Sequence, residues 1–295
     1  MTYDARNSTG MGGRENLIFA VGTLVLIAVV FLFALKGPDL FAGTSSGPKA
    51  ELVEATGPLT RLSDEASKAY FAMLEKADPA TFEALRGKIA VRPDATEAHL
   101  QKLVIDAAAD VARRNQRTLY SADVKHVDAI LDLTRDGLTA AKNSASKYCR
   151  GSFYTSMAEL NPDQSARYYN RLFLEEPALY TYGIGVNTII AQAIIDAKAN
   201  PVKHGALTEE DEGLMQGLVT QMLADRDIQP LLMVSNDDAQ ADRILRRTNV
   251  CSVGLKLVDA LRALPEDTRG RFWAALVAQS NQRNGLASVE ALAGF

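Results

Sequence analysis

The two cysteines are the side chains of this sequence with the most distinctive chemistry. Cys149 and Cys251 are the only ones in 295 residues. In an oxidising compartment two thiols are the right number for one disulfide, which closes a long loop and stabilises a fold by up to ~4.7 kcal/mol on the loop-entropy model. The alternative is two separate buried thiols that act as small apolar side chains. Neither cysteine belongs to a Cys-x-x-Cys pair or has a histidine near it in sequence, so the sequence favours the bridge over a catalytic thiol.

Tyrosine is concentrated between residues 148 and 182, where six of the nine tyrosines lie beside several arginines. Tyrosine offers a broad apolar area and a hydroxyl at low entropic cost, which suits a binding surface. The candidate partner-binding residues are Tyr148, Arg150, Tyr154, Arg167, Tyr168, Tyr169 and Arg171. The alternative is that these rings fill a core between helices, and the usual burial of aromatic side chains favours that alternative.

The three histidines, His99, His126 and His204, do not form a metal site by their spacing. None pairs with another at three or four residues, so no helix presents two imidazoles on one face. His126 has Asp123 nearby, but a solvated helix residue is its default role. We find no phosphate-binding loop, Ser-His-Asp pattern or zinc-protease helix. We therefore predict no metal and no cofactor, and we assign no catalytic residue.

One uninterrupted apolar run near the N-terminus has the length of a membrane span. Leu17 to Leu35 contains no charged residue, and Glu15 and Lys36 mark its two ends. Its length as a helix is about 28 Å, against ~30 Å for the hydrocarbon core of a bilayer. A cleaved signal peptide has a shorter apolar region and a small-residue cleavage site, which is lacking here. We predict a short tail at 1–15 and a transmembrane helix at 16–35, with the lipid bilayer as its partner.

The segment after the span predicts a tether, and the charges around the span bear on its orientation. Residues 36–58 are rich in Gly, Pro and Ser, a composition typical of a flexible linker. Two arginines precede the span and two lysines follow it, so the positive-inside rule is nearly balanced. A single span with a short N-terminal tail most simply keeps that tail in the cytoplasm. The abundance of Ala and Arg is typical of a GC-rich bacterium, so we predict the inner membrane, with the body in the periplasm.

The remaining sequence has helical periodicity and no convincing strand pattern, which predicts an all-α fold. We expect two helical lobes, at 60–143 and 148–295, and leave open whether they share one core. Residues 184–197 are apolar enough for a central helix but too polar for a second span. Glu209 and Glu210 complement a helix dipole. The predicted helix starts are Ser63, Pro79, Asp94, Ser121, Thr208 with Asp211 in a capping box, Asp237 or Asp238, and Pro265. The helix from Asp94 is predicted to end near Arg117, and the one from Asp237 or Asp238 near Leu264.

The net charge of −4 excludes the usual nucleic-acid binder, which needs clustered cations. Three functions remain. The first is a non-enzymatic, membrane-anchored module of the cell envelope that binds another envelope or membrane protein or supports an assembly. The second is an envelope enzyme that acts on a polymer or lipid, with residues 148–182 lining its cleft. The third is a cytoplasm-facing, membrane-tethered adaptor, in which both cysteines would stay free. The absence of catalytic motifs favours the first.

Overall fold

The structure is a computed structural model that describes Leu62 and residues 64–153, 176–229 and 238–282. All regular elements in these ranges are helical and none is a strand, so the prediction of an all-α fold is confirmed. The predicted tail at 1–15, transmembrane helix at 16–35 and linker at 36–58 lie outside the described residues, and they stay predictions.

Ten α-helices and one 3-10 helix lie wholly within the described ranges. The α-helices are α1 (Glu65–Ala77), α2 (Pro79–Ala90), α3 (Glu97–Arg114), α4 (Gln116–Leu119), α5 (Val124–Asn143), α6 (Pro177–Ala199), α7 (Glu209–Ala224), α8 (Asp238–Arg247), α9 (Val250–Ala263) and α10 (Glu266–Gln282). The 3-10 helix, Lys147–Cys149, lies between α5 and α6 in the chain.

Short polar side chains begin most of these helices, but not always at the predicted residue. The Asp78–Pro79 start of α2 and the Thr208 capping box of α7 form as predicted. The predicted caps at Asp94 and Ser121 are wrong, because two more non-helical residues follow each of them before the helix begins. The side chains that accept the first-turn N–H groups there belong to Thr96 and Asp123.

Two predicted long helices are each divided into two. The helix expected to run on to residue 117 stops at Arg114, where the Asn115 side chain donates to Asp78 Oδ2 at 3.2 Å and to the Val111 carbonyl at 3.0 Å. The helix expected from residue 238 to 264 breaks at Thr248 and Asn249. The Asn249 side chain caps α9 there by accepting from the Ser252 N–H at 2.9 Å. Asparagine side chains compete with helical backbone hydrogen bonds: Asn249 accepts from an N–H, whereas Asn115 donates to a carbonyl.

Helix α6 is the central helix of the fold and packs against α1, α3, α4 and α5. It is the one helix in the described ranges that is long and apolar enough to cross a membrane, but 56% of that apolar window is buried inside the protein. Its two tyrosine hydroxyls bond to neighbouring helices: Tyr180 pairs with Ser67 Oγ at 2.6 Å and Tyr182 with Thr134 Oγ1 at 2.7 Å. These buried bonds satisfy polar groups that would otherwise be costly in a core.

Two large hydrophobic clusters meet along α6. The first is built from α1 to α4 with one face of α6 and the end of α10, and the second from α5, α9 and the 3-10 helix with residues of the other face of α6. A smaller third cluster joins α7 to α9 and α10. The first cluster takes residues from both sides of the boundary at 143–148, so both predicted lobes contribute to it. The division into two lobes stays a prediction.

Candidate functional sites

Cys149 and Cys251 form a disulfide, so the bridge predicted from the sequence is confirmed. Cys149 ends the 3-10 helix and Cys251 lies in the first turn of α9, with their Cα atoms 4.9 Å apart. Both are buried, with 4% and 0% of their surface exposed. Next to the bond, Arg150 and Asn249 form an isolated antiparallel bridge. The structure thus ties two distant chain segments together both covalently and through the backbone.

Gly151 allows the two backbones to approach this closely. Its N–H donates to the Thr248 carbonyl at 3.0 Å. A Cβ atom at this position would overlap the Leu245 carbonyl oxygen and lie 3.2 Å from the Thr248 carbonyl oxygen. Both obstacles are backbone atoms, which cannot move aside as the end of a side chain can. Glycine is therefore required here by close packing rather than by an unusual backbone angle.

We expect Gly151→Ala to lower the free energy of unfolding by about 3 kcal/mol, because the added methyl must push two bridged segments apart. The matched control is Gly217→Ala on α7, where a Cβ meets no atom within 4 Å. It should raise the free energy of unfolding by about 0.5–1 kcal/mol through helix propensity. Urea unfolding of the full-length chain in mild detergent, followed by fluorescence of its single tryptophan, measures both. Equal effects of the two substitutions would contradict the close approach.

The described tyrosines of the 148–182 segment have buried rings. Tyr148 has no exposed surface, and its ring packs edge-on against Phe153 with centroids 4.9 Å apart. Tyr180 and Tyr182 lie in the cores on either side of α6. Tyr148 therefore has the core-filling role that the sequence left as the alternative, whereas the Arg150 side chain is exposed. Outside the described residues lie the other partner-binding candidates, Tyr154, Arg167, Tyr168, Tyr169 and Arg171, whose surface role stays a prediction.

A histidine–carboxylate pair that the sequence did not reveal links α5 to α6. His126 Nε2 lies 2.9 Å from Asp196 Oδ2, and the same carboxylate accepts from Lys125 Nζ at 3.1 Å and Gln192 Nε2 at 2.8 Å. Burial lowers the pKa of His126, which is only 7% exposed, although the Asp196 carboxylate acts in the opposite direction. Burial alone would raise the pKa of Asp196, but its three donors outweigh that effect and lower it. This cluster joins the N-terminus of α5 to the C-terminal part of α6.

The three histidines occupy separate places in the structure. His99 contacts Arg92 at the start of α3, and His204 shares a 2.6 Å hydrogen bond with the Ala122 carbonyl. No group of three His, Cys, Asp or Glu side chains in the described part of the chain is arranged to hold a metal ion.

A shallow depression of about 470 Å³ between α2 and α3 is lined by residues 91–96 and His99.

A buried carboxylate, Asp211, connects α7 to α10. It is 1% exposed and accepts from Thr208 in the capping box, from Thr268 Oγ1 at 2.7 Å, and from Arg271 Nε at 2.7 Å and Nη2 at 2.8 Å. The hydrogen bonds from Arg271, with those from Thr268 and Thr208, hold the pKa of Asp211 far below its ordinary value against the effect of burial. A second ion pair, Arg269 with Asp128 at 2.7 Å, ties α10 to α5.

These pairs satisfy polar groups between packed helices rather than converge on one reaction centre. Asp211 and Asp196 each accept hydrogen bonds from several donors within the fold. Comparison with protein-family models, with curated proteins and with solved structures finds no match to this chain.

Proposed function

We propose that this chain is a single-pass, membrane-anchored helical protein of the bacterial cell envelope that binds another envelope protein without catalysing a reaction. The observation that carries the proposal is the disulfide between Cys149 and Cys251. Disulfides form and persist in oxidising compartments and are rare in the bacterial cytoplasm. A bridged body behind an apolar segment at 16–35 fits an inner-membrane protein with a cytoplasmic N-terminus and a periplasmic body.

Helix α7 supports a partner-binding role because it presents an uncharged surface to solvent. Residues 213–224 contain no charged side chain, and within them only Met215 and Met222 are buried. Leu214 and Leu223 are each 38% exposed, among the few large apolar side chains of the described residues that reach this value. Nine residues apart, these leucines lie on opposite edges of an exposed face that has no charge to repel an apolar partner. We call residues 213–224 the α7 surface.

The alternative of an envelope enzyme has less support from the described residues. Its cleft was expected along 148–182, but the rings of Tyr148, Tyr180 and Tyr182 are buried in the cores. The depression beside His99 is shallow, whereas enzyme sites are usually deep pockets with convergent polar groups. We therefore propose the interaction module alone.

Photo-crosslinking in intact cells tests the proposal. A photoreactive amino acid placed at Leu214 or Leu223 in the full-length chain should yield one discrete higher-mass product on illumination. Cysteine alkylation of that product should show that Cys149 and Cys251 are still bridged. The reason is that a partner seated on the α7 surface lies within the short reach of the probe, in the oxidising compartment.

The matched control is the same probe at Ala84, which is exposed on α2. It should give no discrete product, since α2 carries none of the proposed partner surface. The same product from Ala84 and Leu214, or none from either α7 position, would contradict a partner at this surface. A product containing free thiols would point instead to the cytoplasm-facing adaptor.

A further inference from the structure

The disulfide joins two chain segments that contain cations but no acids. Residues 137–158 have no Asp or Glu, and neither do residues 243–258. In a chain with a formal net charge of −4, such segments are a local exception. We call their six exposed cations near the bridge the basic junction: Lys142, Lys147, Arg150, Arg243, Arg246 and Arg247.

The fold places these cations on two chain segments that lie against each other. Arg243, Arg246 and Arg247 are three and four residues apart on α8, a spacing that places them on one face of a helix. The antiparallel bridge aligns Arg150 with Asn249, two residues beyond the end of α8. The Cys149–Cys251 bond fixes the same two segments, so both groups of cations flank one junction in the fold.

Most of this charge is not neutralised inside the protein. Lys147 pairs with Glu176 at 2.9 Å. By contrast, the arginines of α9 and α10 at 262, 269 and 271 all have aspartate partners. The side chains of four members of the junction have no hydrogen bond or ion pair with any described residue: Lys142, Arg150, Arg243 and Arg247. Cations at a helix C-terminus can complement the helix dipole, which accounts for those in the last turns of α5 and α8 but not for Arg150.

We propose that the basic junction docks on the anionic phospholipid headgroups of the membrane that anchors the chain. The proposal rests on the function proposed above, because the anchor keeps the body near a bilayer. A linker of the predicted composition at 36–58 has a root-mean-square span of about 26 Å, enough to let one chosen face reach the headgroups. Each Lys or Arg near an anionic surface strengthens binding by about fivefold, so several cations on one surface suffice for preferential docking.

Lysine labelling of the full-length chain in lipid nanodiscs tests the proposal. One set of discs contains only phosphatidylcholine, and the other also contains phosphatidylglycerol. An amine-acylating reagent and mass spectrometry give the labelling rate of each lysine. Lys142 should label several-fold more slowly in the anionic discs, because docking covers it. Lys76 and Lys88, which are exposed on α1 and α2, serve as internal controls whose rates should not change. High salt should remove the difference, since it screens the headgroup charge.

A variant pair separates the junction from general positive charge. Arg150→Gln/Arg243→Gln/Arg247→Gln should weaken docking by roughly a hundredfold, as three fivefold contributions predict, and abolish the slowing at Lys142. The control, Arg117→Gln/Lys203→Gln/Arg226→Gln, removes three exposed cations elsewhere and should leave the slowing intact.

The outcomes separate docking on lipid from the proposed membrane-anchored function on which it rests. A chain that enters both kinds of disc but labels Lys142 at the same rate in each retains its anchor, and its docking on lipid is overturned. In that case we would expect the basic junction to bind an acidic protein instead of lipid. Slowing that persists in the junction variant or at high salt also overturns the proposal. A chain that enters neither disc lacks the anchor, and then both proposals are wrong.

Discussion

Leu26→Asp/Val29→Asp is expected to move the chain from the membrane fraction to the soluble fraction and to leave both cysteines as free thiols. Fourteen large apolar residues between Leu17 and Leu35 favour insertion by about 4–8 kcal/mol. Two aspartates near the centre of the span cost about 5–7 kcal/mol, and two apolar contributions are lost as well. The balance then opposes or nearly cancels insertion. A body that remains in the cytoplasm stays in a reducing compartment, where a disulfide does not persist.

Cell fractionation followed by alkylation under non-reducing conditions measures both effects on one sample. The wild-type chain should sediment with membranes and resist alkylation until it is reduced. The control, Leu26→Ala/Val29→Ala, keeps the segment uncharged and should behave as the wild type. A double-aspartate variant that still sediments with membranes would exclude the anchor. A variant that is released but still bridged would show that oxidation does not depend on export through this segment.

The elements that the sequence predicts well depend on residues that are close to each other in the chain. The start of α2 needs only Asp78 and Pro79, and the capping box of α7 needs only Thr208 and Asp211. Their geometry is set by the local backbone, so a pattern of four residues contains the information. The disulfide joins residues that are far apart in the chain, but it can still be predicted because two cysteines allow only one intramolecular pairing.

The features that the sequence did not reveal depend on partners brought together by folding. His126 meets Asp196 from 70 positions away, and Asp211 meets Arg271 from 60 positions away. Many carboxylates and cations in this chain are equally good partners by type, and only the packing of α5 on α6 or of α7 beside α10 selects these pairs. The acidic start of α7 predicts a helix-dipole role for its carboxylates, but it does not predict that Asp211 is buried.

The same limit applies to the surfaces proposed for function. The cations at 142–150 and 243–247 are separate in sequence. Each group alone resembles the cations that commonly lie at the C-terminus of a helix. The bond between Cys149 and Cys251 brings the two segments that carry them together. The disulfide thus bears on both proposals: it supports the proposed periplasmic location of the body, and it holds together the two segments that carry the cations of the basic junction.

Asp211→Asn should lower the free energy of unfolding at neutral pH by about 3–5 kcal/mol, the usual cost of breaking a buried ion pair from one side. The substitution removes the charge that Arg271 and Thr268 are arranged around, and it places an amide donor where guanidinium donors already point. The control is Asp259→Asn, which removes an ion pair with Arg135. The Asp259 side chain is 53% exposed. Exposed pairs contribute little, so this change should cost about 0–1 kcal/mol.

The pH dependence separates the charge of Asp211 from its shape. Its pKa is lowered in the folded chain, so its contribution is present above the ordinary aspartate value of 3.8 and is lost as the pH falls below it. The gap in unfolding free energy between wild type and Asp211→Asn should therefore be constant near neutral pH and narrow steadily below about pH 4. Urea titrations followed by Trp273 fluorescence measure this gap, because the indole sits at the α10–α4 contact and donates to the Leu119 carbonyl at 2.8 Å. A gap that stays constant down to acid pH would mean that packing, rather than the ion pair with Arg271, accounts for the loss.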